Sequence, residues 1–235
     1  MDNRQSTFLS IIIPTYNEAG QIVRTLNKIH AANETHHTEI IVVDGGSTDN
    51  TVALAVAARA IVVHSEQKGR AAQMNKGVAR AIGEMLYFLH ADSIPPINFM
   101  HDIRAAHSQG VKSGCFRLAF DCHHWFLRAN AWFTRFDLNA FRFGDQSLFV
   151  TKAVFQKSGG FRDDLYIMED QEIIHRLKKH GRFAVLNDSV VTSARKYLEN
   201  GIYRMQGIFY ATWILYYLGY PQARLVKLHR KLVRR

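Results

Sequence analysis

Residues 44–49, Asp44-Gly45-Gly46-Ser47-Thr48-Asp49, combine groups that could bind a nucleotide. The Asp44 carboxylate can accept hydrogen bonds from a base N–H or a ribose hydroxyl. Gly45 and Gly46 permit close backbone approach and positive φ angles. The segment therefore predicts a nucleotide site, although an ordinary strand-to-helix turn capped by Asp49 is the alternative, and the pattern does not choose between them.

Residues 90–92 place an imidazole and a carboxylate two positions apart after an apolar run. On an extended chain the side chains of His90 and Asp92 lie on the same side, so both could reach one cation. A hard divalent ion, Mg²⁺ or Mn²⁺, would use the carboxylate and the diphosphate oxygens of a substrate. A helix cap before Pro95 and Pro96 is the alternative interpretation.

Two further polar segments lie at expected helix starts. Arg70, after Gly69, could form a bidentate contact with a phosphate or support the loop that carries the metal. It could equally lie in a solvated first turn of the helix. The acidic run 168–172 is favoured by the helix dipole whatever the function. One of its carboxylates could also deprotonate an acceptor hydroxyl, a role worth ~10²–10⁴-fold in rate, and Asp170 is the predicted base.

The elements that would position these segments alternate along the first part of the chain. β-branched runs at 8–13, 39–43, 60–63 and 85–89 predict buried parallel strands. Helices are predicted between them from apolar residues at helical spacing: Ile22, Leu26 and Ile29, then Val52 and Val56 behind an Asp49 cap, then Met74, Val78 and Ile82. The pattern predicts a doubly wound, mostly parallel α/β sheet with flanking helices. Ligands of such sheets bind beyond the carboxyl ends of the strands, where residues 14–18, 44–49 and 90–93 fall. Later in the chain, a short strand near 147–150 and a helix starting near Asp170 are expected.

Composition and charge set broader limits. With 235 residues, 47% hydrophobic and 21% charged, the chain fits one large globular domain. Two cysteines are too few for a disulfide framework, and residues 1–7 are unlike a secretory signal, so a cytoplasmic location is expected. The net charge of +10 suits an anionic partner without choosing among nucleic acid, anionic lipid and a phosphate-bearing substrate.

Taken together, these motifs resemble the family 2 glycosyltransferases, inverting enzymes of the GT-A fold, over about residues 10–195. The segment 13–18, IPTYNE, is similar to the family's opening and implies that Pro14, Thr15 and Glu18 line a nucleotide pocket. Residues 43–49 resemble the segment whose aspartate binds the base. That resemblance assigns nucleotide binding to Asp44, Gly46 and Ser47.

The later motifs extend the resemblance. The remaining assignments that it implies are Gly69, Arg70, Asn75 and Ala91 for the nucleotide, Asp92 and His90 for Mn²⁺ or Mg²⁺, and Glu169 and Asp170 for catalysis, with Asp170 as the base. His90 stands where the family commonly has an aspartate. Short bacterial members of the family also have segments similar to 143–146, 159–161 and 192–195, which implies that Asp145, Gln146 and Arg195 lie on the sugar or acceptor side. The glutamine-arginine-tryptophan motif of processive members is absent from the sequence, so one sugar per encounter is expected.

Residues 205–223 carry no formal charge, are rich in aromatics and precede a basic tail. A membrane span needs ~20 predominantly apolar residues, and polar residues dilute this segment. The pattern favours either a helix at an anionic membrane interface or a core helix under the sheet. The first alternative implies a lipid-linked acceptor and a position at the inner face of the plasma membrane. The predicted division is a catalytic domain at 1–195, with a nucleotide half (8–92) and an acceptor-side half (93–195), and a C-terminal helical extension at 196–235.

Other function classes compete with a transferase that takes its sugar from a nucleotide-sugar donor. A nucleotidyltransferase should have a glycine-rich loop with a basic residue early in the chain, and none follows Ile13. A non-catalytic protein that binds sugar nucleotides or anionic surfaces would keep Asp44, although Asp170 argues against it. A nucleic-acid partner is not expected, because Asp44, Asp92 and Asp170 would repel phosphate unless a cation intervened.

Overall fold

The computed structural model describes residues 7–32, 37–139, 142 and 146–233. Within them, eight strands form one sheet in the order β3-β2-β1-β4-β7-β6-β8-β5. The strands are β1 (Leu9–Thr15), β2 (Thr38–Asp44), β3 (Ile61–His64), β4 (Met85–Phe88), β5 (Ser93–Ile94), β6 (Val111–Phe120), β7 (Leu148–Thr151) and β8 (Arg182–Thr192). The helices are α1 (Ile22–Ala32), α2 (Thr51–Ala57), α3 (Arg70–Arg80), α4 (Phe99–Ser108), α5 (Trp125–Phe133), α6 (Lys152–Lys157), α7 (Glu169–Leu177), α8 (Arg195–Asn200), α9 (Ile202–Tyr217) and α10 (Gln222–Leu232).

The first half of the sheet is parallel, as the sequence predicts. β1 pairs in parallel with β2 and β4, and β2 pairs in parallel with β3. Helices cover both faces: Ile11 and Ile13 belong to one apolar cluster with residues of α1, whereas Ile12 belongs to another with Met74 and Val78 of α3. Burial on both faces is the reason for the continuous apolar runs in these strands.

The second half of the sheet is mixed. β7 is antiparallel to both of its neighbours, β4 and β6, while β8 is parallel to β6. Because the strand direction reverses twice, from β4 to β7 and from β7 to β6, β6 and β8 run parallel to β1. The carboxyl ends of β1, β2, β3, β4, β6 and β8 therefore lie along one border of the sheet, which we call the carboxyl edge. The predicted strand near 147–150 and the helix near Asp170 are confirmed as β7 and α7.

Two residues that the sequence places on the buried faces of helices, Val56 and Ile82, are exposed. Val56 is 58% exposed, and α2 faces inward through Thr51 and Ala55 because so short a helix presents only one i, i+4 pair to the sheet. The α3 helix ends at Arg80 because the next residue has extended dihedrals, which leaves Ile82 beyond it and 65% exposed. The Asp49 carboxylate caps α2 as predicted, because it accepts a hydrogen bond from the Thr51 N–H at 3.0 Å, although the N-cap position itself falls on Asn50, whose side chain makes no cap hydrogen bond.

The aromatic segment and the basic tail form separate helices, α9 and α10. The chain turns between them at Gly219, with φ +78°, and Pro221 occupies the N-cap position of α10. One side of α9 is buried through Met205, Gln206, Ile208 and Thr212, and the helix packs mainly against α8 and α10. In the described part of the chain, no helix is both long and apolar enough to cross a membrane.

Candidate active site

A cleft of about 730 Å³ runs along the carboxyl edge. Its volume lies within the ~300–1,000 Å³ range of small-molecule sites. One end is lined by residues that follow the first three strands, and Asp92 and Asp170 line it further along. Residues of β6, α8, α9 and α10 also line the cleft. The predicted clustering of functional residues along one border of the sheet is confirmed.

The Asp44 carboxylate organises the turn after β2. Asp44 is 2% exposed, and its carboxylate accepts hydrogen bonds from the backbone N–H groups of Gly46 and Ser47 at 3.0 and 3.1 Å. Gly46 has φ +90°, a conformation that strains residues with a Cβ. The glycine predicted from the motif is therefore required by the turn, and base binding by Asp44 stays a prediction.

Gln73 supports the site in a way that the sequence did not indicate. Its buried Nε2 donates to the backbone carbonyls of Thr15 and Val43, both at 2.8 Å, and thereby ties the ends of β1 and β2 together. A Cβ on Gly45 would lie 2.9 Å from this nitrogen, so Gly45 serves close approach to Gln73. Pro14 and Thr15 are themselves buried in β1.

Arg70 is the first residue of α3 and lines the cleft directly after Gly69. Its Nε lies 2.8 Å from Oε1 of Glu169, although its side chain remains 42% exposed. Asn75, one turn further along the helix, instead donates to the carbonyl of Phe161 at 2.8 Å and to Asp163 Oδ1 at 2.7 Å. Arg70 is thus placed for a ligand, whereas Asn75 fastens a loop to α3 and its predicted nucleotide role stays untested.

Glu169 and Asp170 occupy different environments at the start of α7. Glu169 is 1% exposed, whereas Asp170 is partly exposed and lines the cleft. Burial raises the pKa of Glu169 to about 7, against the opposing effect of Arg70 and with a further increase from the Asp170 charge. Met168, which precedes the pair, has φ +70°, a strained conformation of the kind found at functional sites. Of the two predicted catalytic carboxylates, only Asp170 is accessible from the cleft.

We expect Glu169→Gln to flatten the pH dependence of folding stability between about pH 4.5 and 7. The folded protein holds the Glu169 proton up to about pH 7, whereas the unfolded chain releases it near the ordinary value of 4.5. The folded state binds more protons in this window, so the wild-type free energy of unfolding falls as pH rises, by at most about 1.4 kcal/mol per pH unit for one group. Denaturant unfolding at pH 5 and pH 7 measures this slope. Glu199→Gln, at an exposed position, is the matched control. A Glu169→Gln protein with the wild-type slope would contradict the assignment.

The extended geometry predicted for residues 90–92 is wrong. The Ser93 N–H donates to the His90 carbonyl at 3.1 Å, and this hydrogen bond closes a turn. Asp92 lines the large cleft, whereas His90 lines a separate cavity of about 10 Å³ that also contacts Asp170. Ala91, between them, is buried. The turn therefore separates the two predicted metal ligands, and metal binding by His90 stays a prediction that the geometry does not favour.

The Glu18 carboxyl lies close enough to Asp92 for their charges to interact. Burial raises the pKa of the Glu18 carboxyl, and the Asp92 carboxylate raises it further. Arg195 counters this effect, with Nη2 3.5 Å from Glu18 Oε2, so a residue predicted for the acceptor side contacts a residue predicted for the nucleotide pocket. No group of three or more His, Cys, Asp or Glu residues in the described ranges is placed to hold a metal ion.

Gln146 is 1% exposed and lines the small cavity. Its Nε2 donates to the Phe116 carbonyl at 3.2 Å and to the Thr134 carbonyl at 3.3 Å, so it ties the middle of β6 to the end of α5. Asp145, predicted beside it, falls outside the described residues. The roles of both residues toward a sugar or acceptor stay predictions.

Comparison with known families identifies the chain. The model of glycosyl transferase family 2 matches residues 10–161. The chain belongs to this family. Among curated relatives, it is 36% identical to the glycosyltransferase AglE of Haloferax volcanii over 95 residues, which cover 37% of this chain and 31% of that protein. It is 29% identical to an uncharacterized glycosyltransferase of Mycobacterium tuberculosis over 178 residues, covering 72% of this chain and 68% of the relative.

Solved structures share the fold of this family 2 chain. The mannosyltransferase PcManGT of Pyrobaculum calidifontis, in complex with GDP-Man and Mn²⁺, superposes with a TM-score of 0.72 at 20% identity, covering 88% of this chain and 61% of that one. TarS 1-349 of S. aureus superposes with a TM-score of 0.68 at 19% identity, covering 80% and 61%. The predicted GT-A fold is confirmed. The chain spans less than two thirds of the length of AglE and of these two structures.

Proposed function

We propose that this chain transfers a single sugar from a nucleotide-diphosphate sugar to a hydroxyl group of an acceptor, with inversion at the anomeric carbon. The observation that carries the proposal is the presence of Arg70, Asp92 and Asp170 on one cleft at the carboxyl edge. These groups provide a cation for phosphate, a carboxylate for a divalent metal and an accessible base. Family membership supports the same reaction.

The donor end of the cleft suits a nucleoside diphosphate. Gly69 and Arg70 begin α3, so a diphosphate placed there meets the positive end of a helix and a guanidinium fork. Tyr16, which follows β1, is 49% exposed and offers a ring face to a base. Glu169 acts as a positioning residue, because its buried side chain contacts the Arg70 guanidinium and fixes its position.

Asp170 is the base of the proposed reaction. It takes the proton of the acceptor hydroxyl while the hydroxyl oxygen forms a bond to the anomeric carbon. The bond from that carbon to the diphosphate breaks, and its electron pair leaves with the nucleoside diphosphate, whose negative charge Arg70 stabilises. Because attack and departure occur on opposite faces of the sugar, the configuration inverts.

Asp92 is the residue that would hold a divalent ion, Mn²⁺ or Mg²⁺. Its carboxylate lines the cleft, and the Glu18 carboxyl lies close enough for their charges to interact unfavourably, a situation that a cation relieves. Hard cations prefer oxygen ligands, and diphosphate oxygens would complete the set. A bound ion supplies neutralisation of charge on the leaving diphosphate. The PcManGT complex, which contains GDP-Man and Mn²⁺, supports this assignment.

Thermal stabilisation by a panel of nucleoside diphosphates and nucleotide sugars, each with and without Mn²⁺, tests the proposed donor site. A bound ligand raises apparent stability by mass action, so a shift that depends on Mn²⁺ is expected for one class of nucleotide. Asp92→Ala should remove the Mn²⁺-dependent part of the shift. Asp188→Ala, at an exposed position in β8, should retain it. A shift with nucleic acid or anionic vesicles alone would favour the binding-protein alternative.

We extend the proposal to peripheral contact with an anionic membrane and, through it, to a lipid-linked acceptor. The outer side of α9 and the following turn expose Tyr203, Tyr217, Leu218 and Tyr220, and the Arg224 guanidinium of α10 lies 6.0 Å from the centre of the Tyr220 ring. Aromatic rings at headgroup depth beside cations are typical of interfacial helices. Co-sedimentation with phosphatidylglycerol vesicles, but not with phosphatidylcholine vesicles, is expected. Absence of binding to both would contradict this extension.

A further inference from the structure

The cleft extends well beyond the proposed donor end. Tyr16 and Gly45 follow β1 and β2, whereas Leu118 and Phe120 belong to β6. In the sheet, β6 lies three strands away from β1, which corresponds to ~14 Å at a strand spacing of ~4.8 Å. Asp92 follows β4, which lies between them. The cleft therefore has a second end, at β6, across Asp92 from the donor end. The α10 helix borders both ends, because its His229 lies close enough to Arg70 for their charges to interact.

This second end has an apolar wall. We call it the apolar arm, and it is lined by Leu118, Phe120, Tyr197, Met205, Phe209, Trp213, Val226 and Val233. The rings of Phe120 and Tyr197 lie 5.2 Å apart, and those of Tyr197 and Phe209 lie 5.9 Å apart. The Tyr197 hydroxyl donates to Gln206 Oε1 at 3.2 Å, so its polar atom already has a partner within the protein. Phe120, Tyr197 and Phe209 thus form a row of contacting rings in the arm, and aliphatic side chains complete its wall.

Part of the apolar arm belongs to a small core, in which Tyr197 and Met205 are buried and Phe120, Phe209 and Val233 pack against them. Phe209, Trp213 and Val226 nevertheless remain partly exposed where they line the cleft. Apolar surface that faces water in a cleft gains free energy when an apolar ligand covers it. A small, wholly polar acceptor would leave this apolar surface in contact with water.

Hydrogen bonds hold the arm in place relative to Asp170. Trp213 Nε1 donates to Gln171 Oε1 at 3.0 Å, and Gln171 is the neighbour of Asp170 in α7. From α10, Gln222 Nε2 donates to the Ile167 carbonyl at 3.2 Å, in the segment that leads into α7. Two of the helices that line the arm, α9 and α10, are therefore attached to the segment that carries the proposed base.

We propose that the apolar arm binds the alkyl or aryl body of an amphipathic acceptor whose hydroxyl-bearing head reaches Asp170. This inference rests on the proposed function, since it assigns the acceptor class for the same cleft. The body would lie against Phe209 and Trp213, and a chain or a ring system satisfies the same apolar chemistry. The arm thereby selects acceptors by their apolar body, in addition to the hydroxyl that receives the sugar.

Calorimetry with three simple probes tests the proposal in the presence of the nucleoside diphosphate that stabilises the protein. The probes are n-octyl, 4-nitrophenyl and methyl β-D-glucopyranoside, the first kept below its micelle-forming concentration. The octyl and nitrophenyl compounds should bind roughly 10- to 100-fold more tightly than the methyl compound, because each buried methylene contributes a severalfold gain in affinity. Equal affinity for all three probes would overturn the inference.

Variants locate the binding surface. Val226→Trp, which fills the arm, and Phe209→Ala, which removes part of its wall, should each reduce the octyl preference about tenfold or more. Leu218→Ala is the matched control, because Leu218 is 76% exposed on the outer surface and does not line the cleft. If Leu218→Ala lost the preference for the octyl compound while both arm variants kept it, the assignment of the apolar arm would be overturned. The apolar contact would then lie on the outer surface of the protein.

The nucleoside diphosphate is titrated into the same samples without glucosides. A wild-type protein that binds no nucleotide contradicts the proposed function. A wild-type protein that binds nucleotide but shows no preference among the glucosides contradicts only the assignment of the apolar arm. The two failures are therefore distinguishable.

Discussion

Replacing Asp170 by Asn lowers the rate of sugar transfer by about 10²–10⁴-fold, the usual contribution of a general base. The amide preserves the size of the side chain but cannot take the proton of the acceptor hydroxyl. Glu169 cannot substitute for it, because its side chain is buried and faces Arg70. Donor affinity should change little, since the donor contacts are made by other residues.

Single-turnover rates and donor titrations on the same preparation separate the two effects of Asp170→Asn. Asp188→Asn makes the same chemical change at an exposed position of β8 and should retain wild-type turnover. If the Asp170→Asn protein kept full activity, Asp170 would not be the base.

Arg70→Ala should raise the half-saturating donor concentration about 10- to 100-fold. Hydrogen bonds to charged groups contribute about 1.5–3 kcal/mol each, and Arg70 is the cation at the start of α3 in the cleft. The substitution also leaves the buried Glu169 carboxylate without the cation that stabilises it, which raises the Glu169 pKa further. Arg70→Lys keeps the charge without the guanidinium fork, so a smaller loss is expected.

Steady-state kinetics with varied donor distinguish loss of affinity from loss of turnover in the Arg70 variants. Above about pH 7, where Glu169 is ionised, Glu169→Gln should shift donor affinity in the same direction as Arg70→Ala, because it removes the negative charge that positions Arg70. Arg80→Ala, at the exposed end of the same helix, serves as the control. Unchanged donor affinity in Arg70→Ala would show that the diphosphate does not bind there.

The first half of the sheet could be predicted because its strands are buried on both faces, which leaves uninterrupted apolar runs. The long strands β6 and β8 could not. The sequence of β8 is interrupted by Asn187 and Asp188, and the pairing of β6 with β8 shifts register between Phe116 and Arg117. Such strands are specified by partners far away in the chain. The antiparallel insertion of β7 is likewise set by tertiary pairing.

The candidate site was predictable where a residue type itself indicates chemistry. Arg70, Asp92 and Asp170 all line the cleft, as expected from the sequence. The buried position of Glu169, the turn that separates His90 from Asp92, and the hydrogen bonds of Gln73 depend on packing between distant segments. The contribution of Trp213 to the same cleft also depends on the fold, because its helix lies far along the chain.

Phosphorus NMR of the protein incubated with Mn²⁺ and a panel of nucleotide sugars tests the central claim most directly. Sugar transfer to a hydroxyl or to water breaks the bond between the anomeric carbon and the diphosphate. The account therefore predicts an intact nucleoside diphosphate as the product from one donor class, formed far more slowly by the Asp170→Asn protein. Cleavage between the two phosphates, giving a nucleoside monophosphate and a sugar phosphate, would contradict the proposed sugar transfer and indicate nucleotidyl chemistry.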